Sequence, residues 1–538
     1  MTHCVIIDIE TQKAIKCRIM VLYTWTNVSQ KPLTANFQVL KLFAVQIGIS
    51  GLFFYVLKGG INMNLLDGLK KNSLTENTKG GKYYNTSYNA NLDVFTMLSR
   101  YNPTDEIIRK FHNALEEDET LALANLLYIL DIRSGKGERL IFTTIYRDLC
   151  LHYPSLALKI LPFIGELGRY DYILLGLDTP IEDKVIELIK NQLKQDEESD
   201  SPSLLAKWLP SHRNHNENNM QAKLIMKKLG LSEKDYRKKL SHLRSKINIV
   251  EKNLTTRNYD SIDFEEVPTK AMLKYQAAFK KEMAEKYENY LKEVKEGNAK
   301  INTKGLFCYE IVKKIQKGYP VNAELLDAMW NNQKDVLNGI DKNILVVADT
   351  SGSMTVQDGL PLATSIGLAI YTAERNNGIF KNHFITFSSE PRLEEVRGKT
   401  IVDKVSNIET IIENTDIDKV FELILKTAKE NHLKQEDMPE FIVLISDMEF
   451  DCGVHSSEGT NFNGWKKAFT EDGYQLPKII FWNVAAYTQG IPVTKFENDV
   501  ALISGFSTNL LSNLFQIENF SPEGSMLEQL ESYIERLS

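Results

Sequence analysis

The 538-residue chain is 43% hydrophobic, 25% charged and 9% aromatic with only 15 Pro and 29 Gly, which excludes a fibrous, collagen-like or mainly disordered polymer and leaves material for about three domains. Its five cysteines, Cys4, Cys17, Cys150, Cys308 and Cys452, are odd in number and scattered. Without a Cys-x-x-Cys pair they provide neither a disulfide framework nor a zinc knuckle, and the compartment reads as reducing and cytoplasmic. The net charge of -7 divides unevenly: Lys207 to Arg257 holds 13 Lys and Arg against 4 Asp and Glu, while Asp341 to Ser538 holds 16 against 30. A basic face concentrates polyanions, whereas an acidic one repels them unless cations are bound.

Residues 1–62 read as an extension of uncertain standing. Phe37 to Lys58 is the one strongly apolar run, with about 16 uncharged residues where a membrane span needs about 20, so no stable membrane insertion is expected. Met63 opens a polar lead, 63–90, and is the expected native start. From 91 to 335 short apolar blocks recur at helical spacing between turn signals such as Asn102-Pro103 and Gly135-Lys136-Gly137, with Thr104 or Asp118 as caps. This pattern predicts a helical-repeat, HEAT-like region, interrupted by a polar loop at Gln195 to Ser203 and by one long charged helix from Lys274 to Lys300.

Two basic features lie in this region. In Arg133-Ser-Gly-Lys136-Gly-Glu-Arg139 three cations surround two glycines at a helix start, where free N–H groups favour an anion; it is no P-loop, because the Lys-Ser/Thr pair is absent. The second is the stretch 207–257, with Lys207, Arg213, Lys227, Lys228, Arg237, Lys238, Lys239 and Arg244 interleaved with Trp208, His212 and Tyr236. Cations with stacking side chains suit single-stranded RNA, although a solvated helix face has the same composition.

The last third, 336–538, alternates strands and helices. Asn343 to Ala348 is a continuous apolar run of the kind buried on both faces of a parallel sheet, and a helix follows from about Leu360 to Arg375. Strands are expected at His383 to Phe387, Glu440 to Ser446, Lys478 to Val484 and Ala501 to Ser504, with helices at Asp416 to Asn431 and over much of Asn509 to Leu537. The fold class is therefore α plus α/β, a helical region followed by a doubly wound sheet whose ligands sit at strand carboxyl ends. Asp349 and Asp447 both fall there. With the hydroxyls of Ser351, Ser353 and Thr415 they form an all-oxygen donor set suited to Mg2+, or to Mn2+ or Ca2+.

Asp349-Thr-Ser351-Gly-Ser353 after a buried strand, followed by Thr415 and Asp447, resembles the von Willebrand factor A fold with its metal-ion-dependent adhesion site. The resemblance spans roughly Asp341 to Ser538 and implies metal roles for those five residues. It departs from the common pattern where Met448 follows Asp447 in place of glycine, and in the added acids Glu449 and Asp451. Ser446-Asp-Met-Glu-Phe-Asp451, Ala206-Lys-Trp-Leu-Pro-Ser211, Gly135-Lys-Gly-Glu-Arg139, Phe481-Trp-Asn483 and Ser504-Gly-Phe-Ser507 resemble the plant and viral family known as domain of unknown function 2828, from about Asn91 onward. That family is similar in layout to Ro autoantigen proteins, in which a TROVE ring of helical repeats is closed by a von Willebrand A domain and binds RNA.

These resemblances imply a non-enzymatic, metal-dependent ribonucleoprotein component whose metal grips an acidic side chain of a protein ligand. A protein-only scaffold is the alternative. A magnesium-dependent hydrolase using Asp349 as nucleophile fits less well, because the second acid such enzymes place two residues on is here Ser351.

Overall fold

Thr2–Glu10 (β1) and Lys16–Thr24 (β2) pair antiparallel, Thr2 opposite Thr24 and Glu10 opposite Lys16. In this computed structural model, which describes residues 2–10, 16–24, 74–76, 81–211, 217–247, 250–318, 322–387, 390–408, 416–450, 461–485, 490–511 and 514–538, that hairpin belongs to a first unit, 1–72. The apolar run Phe37 to Lys58 and Met63 lie outside the described residues. No helix among the described residues is long and apolar enough to cross a membrane.

The second unit, 73–538, starts with a short antiparallel pair, Leu74–Glu76 (β3) and Lys82–Tyr84 (β4). Then come helices Ala90–Met97 (α1), Thr104–Glu117 (α2), Glu119–Leu130 (α3) and Arg139–His152 (α4). Asn89 and Asp118 start α1 and α3 by accepting the N–H of Leu92 and of Leu121, orphan donors of the first turn. Further along lie Glu182–Glu198 (α5), Leu205–Trp208 (α6), Glu217–Leu229 (α7), Glu233–Lys246 (α8), Thr269–Glu282 (α9), Ala284–Glu296 (α10), Cys308–Gln316 (α11) and Ala323–Asn331 (α12), with shorter helical turns between some of them. Two expectations are corrected. The polar loop begins only after Glu198, because the buried Asp196 carboxylate ends α5 by accepting Ser203 N–H and hydroxyl. The charged segment from Lys274 is two helices, broken at Met283 (φ -141, ψ 40).

A six-stranded sheet follows: Ile344–Asp349 (β5), His383–Phe387 (β6), Arg392–Glu395 (β7), Phe441–Ser446 (β8), Lys478–Asn483 (β9) and Val500–Ser504 (β10), in the order β10-β9-β8-β5-β6-β7. All neighbours run parallel except β6 and β7. The flanking helices are Val356–Arg375 (α13), Asp418–Glu430 (α14), Asn461–Glu471 (α15) and Pro522–Leu537 (α16). The fold is thus mixed, helices followed by a mostly parallel α/β sheet. From β5 the chain builds outward through β6 and β7, then returns to the other side of β5 for β8, β9 and β10. The order therefore reverses between β5 and β8, and side chains beyond their carboxyl ends share the crevice where such sheets bind ligands.

Burial follows the strand period of two. Ile344, Val346 and Ala348 face the large core shared with the helices; Leu345 and Val347 face a second core containing Phe421, Trp465 and Phe481. Helix α13 crosses α11 so closely that a Cβ on Gly367 would lie 2.8 Å from Cys308 Cβ, so only glycine allows this crossing.

Candidate metal centre and basic face

The register sets the site. Ala348 is paired with Ile445, so the next residues, Asp349 and Ser446, leave the sheet side by side. Ser446 Oγ donates to Asp349 Oδ2 at 2.6 Å and lies 3.5 Å from Asp447 Oδ1. The other Asp349 oxygen accepts Ser351 N–H at 2.9 Å, and Ser351 Oγ is 3.1 Å from Ser353 Oγ. Asp349, Ser351, Ser446 and Asp447 are all 0% exposed. Four of the five expected ligands, Asp349, Ser351, Ser353 and Asp447, thus belong to one carboxyl-end rim; Thr415 lies outside the described residues, as does Asp451.

Two carboxylates buried this close are electrostatically costly. Burial first, and the Asp447 carboxylate second, push the Asp349 carboxyl up to about 7. Asp447 Oδ1 accepts Glu449 N–H at 3.0 Å, but its Oδ2 is buried with no partner among the described residues. An unsatisfied carboxylate oxygen next to a second acid and two hydroxyls is the donor set of a hard cation, and these residues fit one. Ser446 is the member that sequence reasoning missed as a participant; its signal is its place at the end of β8, immediately before Asp447. Met448, where glycine was the expected pattern, keeps the left-handed conformation a glycine would adopt (φ 64) while its side chain packs in the second core. The loop after Asp447 therefore holds a turn that costs an L-residue roughly 1–2 kcal/mol.

The basic loop expected to cradle an anion is used differently. Gly135 sits where a Cβ would meet Tyr128 O at 2.1 Å, and Lys136 and Glu138 donate their N–H groups to Tyr128 O and Ile129 O. Asp131 occupies the N–H groups of Arg133 and Ser134. Lys136 is corrected from a solvent-facing cation to a core one: it is 1% exposed, its ammonium donates to Phe95 O, and it lies 5.5 Å from the Phe95 ring centroid. Burial pushes this amine down to about 7. Ser504 also donates to Phe95 O, and Arg100 forks onto Glu138 at 2.8 and 3.1 Å while covering the Phe506 ring. The Gly-Lys-Gly-Glu-Arg and Ser-Gly-Phe-Ser stretches therefore meet as a seam joining the helices to β10.

The other cations divide into engaged and open ones. Lys228 pairs with Glu182 and Asp183, Lys239 with Glu197, and Arg244 donates to Ala206 O, Leu209 O and Ser211 Oγ, closing the end of α6. Lys207 is half-buried beside Trp208, whose ring Arg169 covers at 3.9 Å. Arg133 is exposed and donates to Glu166 O, and Arg139 is exposed over Tyr172. Lys227, Arg237 and Lys238 are exposed on α7 and α8; Arg213 lies outside the described residues.

Two family models match parts of the chain. Residues 213–354 match the Domain of unknown function (DUF2828), a shorter stretch than expected, and residues 343–535 match the Domain of unknown function (DUF7788). The chain is 30% identical over 508 residues to the Uncharacterized protein L728 of Acanthamoeba polyphaga mimivirus, covering 86% of this chain and 88% of that protein. The chain therefore belongs to the same family as this uncharacterised viral protein. No solved structure matches it.

Proposed function

We propose that the chain is a non-enzymatic binding protein in which a von Willebrand A-like domain uses a metal-ion-dependent adhesion site for an acidic partner, while a Ro-like helical region carries RNA. The observation that supports the metal half is Asp447 Oδ2, buried and without a partner among the described residues, beside a second buried carboxylate. Asp349, Ser351, Ser353 and Asp447 would hold Mg2+, with Thr415 as a further hydroxyl. The ion would supply the positive charge that lets both acids ionise and a position for a partner's carboxylate. Thermal or urea unfolding with and without Mg2+ tests this. The cation should stabilise the protein by about 2.7 kcal/mol at a hundredfold excess over Kd, and Asp447→Asn should abolish that gain. Equal stabilisation of wild type and Asp447→Asn sinks the metal reading.

Support for the RNA half is the open cations of α7 and α8. Reversing Lys227, Arg237 and Lys238 together should cut affinity for single-stranded RNA and flatten its salt dependence by about three phosphate contacts, measured by filter binding. The internal engagement of Lys136, Lys228, Lys239 and Arg244 favours a second reading, a protein-only scaffold, in which the triple reversal leaves an already weak RNA signal unchanged.

A further inference from the structure

A cleft of about 510 Å³ opens where three loops of the helical part meet the C-terminal helix α16. Arg133 and Ser134 line it from the loop after α3, Lys304 from the loop before α11, and Gln333 and Lys334 from the segment after α12. Ser507 and Thr508 follow β10, and Glu528 and Glu531 stand three residues apart on one face of α16. The side chains of Lys304, Lys334, Glu528 and Glu531 are exposed, and among the described residues none of the four makes an ion pair. Opposite charges that share a cavity without neutralising each other leave both signs available to a ligand.

Gln333 adds an independent sign. It is 8% exposed and, among the described residues, its Oε1 receives only the weak Cys308 thiol at 3.5 Å and its Nε2 has no acceptor. A buried amide donor left unsatisfied at a cavity wall costs about 1–3 kcal/mol, which an acceptor would recover. Ile132, 39% exposed, adds an apolar surface at the same wall. The volume lies in the range of cavities that enclose small organic ligands.

We propose that this cleft binds a nucleoside monophosphate, its phosphate toward Lys304 and Lys334, its ribose hydroxyls donating to Glu528 or Glu531, and its base against Ile132. The inference is independent of the metal and RNA readings, because it uses none of the metal-site residues and none of the open cations on α7 and α8.

Isothermal titration of the full chain with AMP, GMP, CMP and UMP, beside inorganic phosphate and ribose, tests it. At least one nucleotide should bind in the micromolar to millimolar range. The exposed double variant Lys304→Glu/Lys334→Glu should weaken it tenfold or more, Glu528→Gln/Glu531→Gln several-fold, and the exposed pair Lys190→Glu/Lys194→Glu on α5 not at all. Circular dichroism and a thermal melt confirm that each variant is folded. The proposal is overturned if no nucleotide binds at millimolar concentration, if phosphate alone binds equally well, or if the Lys304/Lys334 variant binds undiminished.

Discussion

Asp349 with Asp447 at the sheet's rim, and Lys136 at the helical seam, are both ionisable groups folded away from water, and they differ in what faces them. The lysine has a carbonyl acceptor and an aromatic face, so the protein supplies its partners. The aspartates have each other, and Asp447 Oδ2 has no donor among the described residues. Buried charge alone therefore does not mark a binding site; the unsatisfied remainder does.

The largest effect that would break this contrast is at the seam. Lys136→Glu would place a carboxylate against Phe95 O and near Glu138, two acceptors. Uncompensated buried charge costs about 3–5 kcal/mol, and urea unfolding should show a loss of that order or failure to fold. Lys136→Met, which keeps the length and removes the amine, should lose far less, because Ser504 still donates to Phe95 O. If Glu is tolerated as well as Met, the seam is wet and Lys136 is not a core residue.

The two sites also differed in how far they could be read from the chain. Asp349 and Asp447 were legible because each ends a short, continuous apolar run rich in β-branched residues, which reads as a strand buried on both faces. Lys136 was not, since Gly-Lys-Gly has the same composition whether its cation meets solvent or a carbonyl forty residues away. Sheet strands β5, β6, β8, β9 and β10 were legible for the same reason as the aspartates. Strand β7 was not, because Arg392-Leu-Glu-Glu395 is an exposed edge without apolar alternation. Helix α15 was missed although Phe462, Trp465 and Phe469 have helical spacing, three anchors being too few against the neighbouring Gly453, Ser456, Ser457 and Gly459. The break at Met283 could not be seen because the charged spacing runs through it.

A smaller effect, and one that sharpens the contrast, lies in pH. The Asp349 carboxyl is raised from 3.8 to about 7, so between those values the folded state holds more protons than the unfolded one and stability falls as pH rises. The Lys136 amine is lowered from 10.5 to about 7, so between 7 and 10.5 the unfolded state holds more protons and stability rises with pH. Without a cation the two contributions meet in a shared minimum near neutrality, each arm sloping by at most about 1.4 kcal/mol per pH unit. Urea unfolding at pH 5, 7 and 9 should show Asp349→Asn gaining on wild type from pH 5 to 7, and Lys136→Met falling relative to wild type from 7 to 9. On the proposed metal reading, added Mg2+ should lift the acid-side loss and leave the basic arm unchanged. An Asp349→Asn difference that stays constant from pH 5 to 7 would mean that neither burial nor the Asp447 carboxylate raises the Asp349 carboxyl, and the proposed cation would lose its electrostatic ground.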